Sequence, residues 1–293
     1  MRQDADAGKV HMRTLLLDRV VKGTLVVLAP LALTFIVLHI LWGMLAAGLL
    51  FPWLPSRGRD ALVRFWSRIL LVALGIRLHV HRDPAAKPIA ATRGALLLMN
   101  HISWVDVFVI AAVTPARFVA KAEVARWPLL GRFAASVGTV YVERGRRHAI
   151  AHVNHTVAQR LRLGQSIGIF PEGTTTDGSR LLRFHANLVQ AALEAGAPVI
   201  PLGLQYRQDG QPSTAAAFIG DMNLVQSIWR IVLAPRLTAH LYWLPAVACD
   251  GLTRQAIGAR AREAIGGALE LPEVTAVDEL GDSQPDRPLA TAS

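Results

Sequence analysis

The chain has 293 residues, of which 52% are hydrophobic, with a formal net charge of +10 and one cysteine, Cys249. That length holds one large domain with appendages or two small ones, and a lone cysteine excludes an intrachain disulfide and a cysteine zinc cluster. A mean hydropathy of +0.35 is high for a soluble protein and low for a multi-span one, so one segment carries the excess. The positive balance suits an anionic lipid surface, an acidic carrier protein or nucleic acid.

Residues 1–22 are polar and mixed in charge, and Thr24 to Leu50 then carries no Asp, Glu, Lys or Arg. This stretch exceeds the roughly 20 residues a helix needs to cross a bilayer. Pro30 is a kink site, and Trp42 and Trp53 sit where interfacial aromatics sit. The apolar run is too long for a secretory signal core, and no A-x-A cleavage site follows. Lys9, Arg13, Arg19 and Lys22 precede the span and Arg57, Arg59, Arg64 and Arg68 follow it, so flanking charge does not set its orientation. Pro52 and Pro55 end the first helix. A second is expected over about 58–78, with Arg59, Arg64 and Arg68 interleaved among Leu62, Phe65, Trp66 and Ile69. Such a basic helix suits the membrane interface; the other readings are a hairpin partner of the span and a helix packed on the domain. Residues 1–78 thus read as a membrane-anchoring helical region.

From residue 79 to about 272 the pattern becomes α/β. Strands are expected at His79–His81, Leu96–Met99, Phe118–Ala120, Val137–Val142, Ile167–Phe170 and Val199–Leu204, and helices at Val107–Ala112, His148–Leu163 and Asn187–Ala195. Gly164 and Gly196 are helix stops. This alternation predicts a mostly parallel sheet flanked by helices. Residues 273–293, acidic and Pro-containing, read as a disordered tail.

Two turns carry candidate chemistry, and each leaves an apolar strand, where open α/β sheets bind ligands. The first is Asn100-His101-Ile102-Ser103-Trp104-Val105-Asp106. On one helix His101 and Asp106 would stand about 140° apart. They meet only if His101 lies in the turn and Asp106 on the following helix, with Ser103 a candidate N-cap. A carboxylate on one ring nitrogen fixes the tautomer and leaves the other as a base. The second is Phe170-Pro171-Glu172-Gly173-Thr174-Thr175-Thr176-Asp177-Gly178, whose glycines permit close backbone approach and whose amides and hydroxyls suit an anion.

These two blocks, with Gly138-x5-Arg144 and Val199-Ile200-Pro201-Leu202 between and after them, resemble the lysophospholipid acyltransferase family, typified by 1-acylglycerol-3-phosphate acyltransferase. The resemblance implies the glycerolipid acyltransferase fold and a membrane-bound O-acyltransferase of phospholipid biosynthesis. The implied reaction moves a fatty acyl group from acyl-CoA or acyl carrier protein to the hydroxyl of a lysolipid such as 1-acylglycerol-3-phosphate. It implies that His101 is the general base and Asp106 its orienting partner. Glu172, Gly173 and Thr174 would hold the acceptor, and Arg144 would pair with an anion, with Lys121 and Arg126 as further basic candidates. No cofactor and no metal are implied. A bacterial inner membrane with the site facing the cytoplasm is the expected location. The chain departs from the phosphatidate-forming pattern at Thr175, where that pattern has Arg. The FPEGTTTDG form resembles the branch that includes lyso-ornithine-lipid acyltransferases, since a lost bidentate cation weakens selection for a phosphomonoester.

Rival patterns are weaker. Gly164-Gln165-Ser166-Ile167-Gly168 matches the G-x-S-x-G esterase elbow, but that motif needs a strand before the serine and a helix after it, and the expected order is reversed. His148, His152 and His155 share a helix face without an acidic companion, and His79 and His81 alternate on a strand; both sets read as solvated rather than metal-binding. The spread of positive charge and the lack of a recognition motif argue against nucleic acid.

Overall fold

The computed structural model describes residues 2–126, 134–142 and 147–272. The expected tail, the Trp127–Gly131 segment and Arg144 lie outside them.

Helix α1 (Arg2–Leu50) is a single helix of 49 residues, and it begins well before the expected start near residue 24. The polar residues ahead of the apolar run contain no proline, so nothing breaks the helix there. Within it, Val26–Leu50 has a mean hydropathy of 2.2 and is long and apolar enough to cross a membrane. Helix α2 (Ser56–Ala73) is shorter than the expected 58–78. Gly75, at φ +74, turns the chain out of the helix, and this frees Arg77 to open a strand.

Helices α1 and α2 form a hairpin. Trp66 Nε1 donates to the His39 carbonyl at 3.1 Å, and His39 Nε2 lies 3.0 Å from the Trp66 carbonyl. The two rings stack at 4.7 Å. Gly43 leaves the room for this, since a Cβ there would lie 2.3 Å from the Trp66 indole nitrogen. On its other side α2 packs on the α/β body. Trp66 meets Phe108 at 5.5 Å, and Arg68 Nε donates to Ala112 O at 3.0 Å. The opposite flank of α1 leaves Val27, Leu31, Phe35, Leu38 and Leu45 exposed, an apolar surface suited to lipid.

Among the described residues the body is an eight-stranded sheet. Its strands are β1 (Arg77–Arg82), β2 (Leu96–Met99), β3 (Ala116–Lys121), β4 (Val140–Val142), β5 (Ser166–Ile169), β6 (Val199–Gln208), β7 (Gln211–Pro212) and β8 (Leu237–Trp243). The order is β1-β8-β6-β2-β5-β3-β4, with β7 on β6. Strands β4, β3, β5, β2 and β6 run parallel. Strand β8 returns antiparallel to β6 and carries β1 parallel to itself at the edge. Helix α3 (Asp106–Ala111) and α4 (Ala122–Ala125) are short; α5 (Arg147–Arg162), α6 (Val189–Ala195), α7 (Leu224–Val232) and α8 (Arg254–Leu269) follow. One core lies between the sheet and the α1, α2, α3 and α7 side, with Leu97, Met99, Leu202, Leu204, Tyr206 and Trp243 fully buried. The other lies beneath α5, α6 and α8, around Leu96, Leu98, Ile167, Ile169 and Ile257. Burial on both faces is what makes β2 a continuous apolar run, Leu-Leu-Leu-Met, rather than an alternating one.

The expected strand over 137–142 contracts to Val140–Val142, because Gly138 holds φ +86. Strand β6 runs four residues past Leu204, to Gln208. The expected 187–195 helix is a 3-10 turn at Ala186–Leu188 followed by α6. His79 and His81 lie exposed on β1 but are not isolated. His240 of β8 stacks on both, at 5.0 and 5.2 Å. Partial burial and Arg207 push His240 down to about 4, so this ring is neutral at physiological pH.

Registration of β2 on β5 pairs Leu98 with Ile169. The carboxyl ends of the two strands therefore stand side by side, and the turns at residues 100–106 and 170–178 emerge as neighbours.

Candidate active site

The first turn is tied down before it reaches His101. Asn100 Nδ2 donates to Leu204 O at 2.8 Å, and its Oδ1 accepts from Leu204 N at 2.7 Å. The side chain thus replaces a rung of the ladder where β2 ends and β6 continues. From that anchor the chain bends, and α3 starts at Asp106.

His101 Nδ1 lies 2.8 Å from Asp106 Oδ2. The histidine side chain is 20% exposed and the carboxylate 0%. The same Oδ2 accepts the amides of Ile102 at 2.7 Å and Ser103 at 2.9 Å. Oδ1 accepts the Tyr206 hydroxyl at 2.8 Å. Every group around the carboxylate is a donor, the pattern that an ionised Asp satisfies. Burial, and then the charge of Asp106, push Tyr206 well above the usual phenol range, so it stays a donor. Nδ1 facing an acceptor carries the proton, and Nε2 is left with its lone pair. Phe170 stacks on the imidazole at 3.9 Å and sets its plane.

The second turn wraps the first. Glu172 is 4% exposed. Its Oε1 accepts the His101 amide at 2.8 Å and its Oε2 accepts the Leu182 amide at 3.0 Å. Thr176 N donates to His101 O at 2.8 Å. Both oxygens of Glu172 therefore accept a backbone amide, and through them it holds the His101 turn. Burial raises Glu172 to about 7, against the two amides that pull it down. Gly178, at φ +82, brings the turn against Ile102, where a Cβ would come within 2.8 Å of the side chain.

Glu172→Gln turns one of its two acceptor positions into a donor and leaves the His101 or Leu182 amide unsatisfied. The expected cost is about 1–3 kcal/mol, read from the denaturation midpoint. The variant should also lose a pH dependence. The folded state keeps a proton on Glu172 that the unfolded chain releases above its ordinary value, so this group's contribution to stability falls as pH rises from 4.5 through about 7.

The other candidates fall as follows. Gly173, at φ +75, and exposed Thr174 continue the second turn past Glu172. Thr175 turns its hydroxyl onto Phe218 O. Lys121 is exposed at the carboxyl end of β3, on the same rim as the two turns, and Arg126 is exposed beyond α4. Ser103 does not cap α3. The N-cap is Val105, without a side-chain cap, because Asp106 itself reaches back to the Ile102 and Ser103 amides. Tyr206, Phe170 and Asn100 are the members whose roles sequence reading missed. Tyr206 had a signal, since it continues the alternation Leu202, Leu204 on β6.

Ser166 opens β5, buried, with its Oγ accepting the Ala95 amide at 3.4 Å. Ala95 stands six residues, about 20 Å of strand, before His101, at the other end of the sheet. The expected helix-then-strand order holds, and the esterase elbow is excluded by it. Ser166→Ala should leave turnover nearly unchanged in an acyl-transfer assay.

The Acyltransferase family model matches residues 77–205, which contain both turns. A lyso-ornithine lipid O-acyltransferase of Pseudomonas aeruginosa is 35% identical over 240 residues, covering 78% of this chain and 90% of that protein. A 1-acyl-sn-glycerol-3-phosphate acyltransferase of Neisseria meningitidis is 37% identical over 200 residues, covering 68% of this chain and 77% of that protein. This chain belongs to the lysophospholipid acyltransferase family. The crystal structure of the 1-acyl-sn-glycerophosphate acyltransferase PlsC of Thermotoga maritima superposes with a TM-score of 0.58 at 16% identity, over 92% of this chain and 99% of that one. The acyltransferase thus shares that fold, including its mostly parallel sheet. Its motif residues lie where the sheet's carboxyl edge brings two distant segments together. One apolar N-terminal helix accompanies them, in keeping with membrane association.

Proposed function

We propose that the chain moves a fatty acyl group from a thioester, acyl-CoA or acyl carrier protein, to the free hydroxyl of a lysolipid at a membrane surface. The observation that carries the reading is His101, whose Nδ1 is held by the buried Asp106 and whose other nitrogen has no hydrogen-bond partner among the described residues. The acceptor hydroxyl gives its proton to Nε2 as its oxygen attacks the thioester carbonyl. The imidazolium, stabilised by Asp106, then returns that proton to the departing thiolate. No acyl-enzyme is required, and the chain's own groups supply base, orientation and a formed turn. The exposed apolar flank of α1 and its span-length segment favour a bilayer location. In a bacterial inner membrane this reading puts the site on the cytoplasmic side, where acyl carriers are found.

Relatives named for 1-acyl-sn-glycerol-3-phosphate and for lyso-ornithine lipid both support a lysolipid acceptor. Thr175 favours the second head group. Its hydroxyl is engaged by Phe218 O, so the position offers no cation to a phosphomonoester. The test is a panel of lysophosphatidate and lyso-ornithine lipid acceptors with each donor, using the full chain in detergent. Transfer to lyso-ornithine lipid at least equal to that on lysophosphatidate is expected. Lysophosphatidate best by a wide margin would overturn the head-group reading, and no transfer to either would overturn the lysolipid reading.

A further inference from the structure

Beneath α2 lies a cavity of about 1040 Å³ that contains neither His101 nor Asp106. It runs from the amino ends of β2, β3 and β5 to the edge strand β1. One wall is the face of α2 that carries Asp60, Arg64 and Arg68, which are four residues apart and so share one side of the helix. The other walls include Arg93 of the loop before β2, Arg117 of β3 and Arg77 of β1. Five arginines thus face one carboxylate, and that carboxylate is taken, since Arg117 pairs with Asp60 at 2.6 Å. Arg68 donates its Nε to the neutral Ala112 carbonyl. The Nε of Arg64 is buried and has no hydrogen-bond partner among the described residues.

A buried, unsatisfied guanidinium nitrogen costs free energy that an anionic ligand would recover. The cavity is also amphipathic. Leu71 and Ile76 line it buried, and Val72 and Leu163 stand at its mouth 75% and 77% exposed. Part-buried Arg64, exposed Arg68 and Arg93 along its walls, and open aliphatic side chains beside them fit a molecule with a phosphate at one end and hydrocarbon at the other. The sequence suggests that the α2 arginines meet the bilayer directly, yet Arg64 and Arg68 line this cavity, while Arg57 and Arg59 remain outside it.

We propose that this cavity is a second lipid site, distinct from the catalytic one. It takes the phosphodiester head group of an intact anionic phospholipid on Arg64, Arg68 and Arg93, with the acyl chains leaving past Val72 and Leu163. A bound lipid there ties α2 to the sheet at the membrane surface. It requires no particular acceptor at His101.

The test is calorimetric titration of the full chain in a neutral detergent with dioctanoyl phosphatidylglycerol, dioctanoyl phosphatidylcholine and inorganic phosphate. Wild type should bind the anionic lipid at least about tenfold more tightly than the zwitterionic one, and more tightly than phosphate. Arg64→Gln with Arg93→Gln should weaken that binding at least about tenfold, the effect of losing charge-assisted bonds. The charge-matched pair Arg57→Gln with Lys87→Gln, outside the cavity, should leave it unchanged, as should His101→Ala. Equal weakening by the outside pair would reduce the effect to bulk charge. Equal affinity for the two lipids, phosphate binding as tight as lipid, or loss only with His101→Ala would each overturn the proposal. Should the cavity pair fail to fold, Gln165→Glu places a carboxylate at the exposed mouth and must weaken the anionic lipid alone.

Discussion

His101→Ala should lower kcat for acyl transfer at least about a hundredfold, the lower end for loss of a general base. The fold should survive. The ring touches Phe170 and Asp106 but is itself part-exposed, while the turn is held by bonds that alanine keeps. The His101 amide still reaches Glu172, and its carbonyl still accepts Thr176. A single-turnover assay with radiolabelled acyl donor, run beside a thermal denaturation, separates the two readouts. A loss of rate with an unchanged midpoint is the expected pair. A variant retaining a tenth of the activity or more would remove His101 from the proton transfer.

The second large effect lies at Asp106, and it divides by substitution. Asp106→Ala strips the acceptor from the Ile102 and Ser103 amides, the Tyr206 hydroxyl and His101 Nδ1 together. Each buried orphan costs about 1–3 kcal/mol, and the sum approaches the whole stability of a domain, about 5–15 kcal/mol. This variant should not fold stably. Asp106→Asn is different. The amide oxygen, fixed by the two backbone N–H groups, still faces Nδ1 and keeps the tautomer. Tyr206 can accept from the new NH2 instead of donating. What disappears is the negative charge opposite the imidazolium that forms during reaction. The expected outcome is a kcat about a hundredfold lower with a modest fall in midpoint. Near-normal turnover in Asp106→Asn would mean that the carboxylate serves the turn and not the chemistry.

The His101–Asp106 contact was legible because its geometry is local. His101 and Asp106 lie five residues apart, and a strand end followed by a helix start is enough to bring them together. Their supports were legible only in part. Tyr206 lies one hundred residues from Asp106 and would have been found by following the β6 alternation two residues further. Glu172 stands out by sequence, but its role does not. A carboxylate in a glycine-rich turn reads as a ligand for substrate, and only the fold shows that burial and two backbone amides also make it a brace of the His101 turn. The β8 strand and α8 helix escaped because residues 205–272 carry no motif to organise a reading. Yet β8 alternates cleanly, with Leu237, Ala239, Leu241 and Trp243 turned inward. The α2 arginines illustrate a further limit, since composition gives a basic helix but not which way its basic face turns.

The most direct measurement is the protonation of the two His101 ring nitrogens, read by 15N chemical shift in protein labelled at histidine and assigned against His101→Gln. A neutral-ring tautomer with the proton on Nδ1 is the predicted result, since Nδ1 faces the Asp106 carboxylate. The opposite tautomer, with the proton on Nε2, would contradict the account, for it leaves the ring no lone pair with which to take the acceptor's proton.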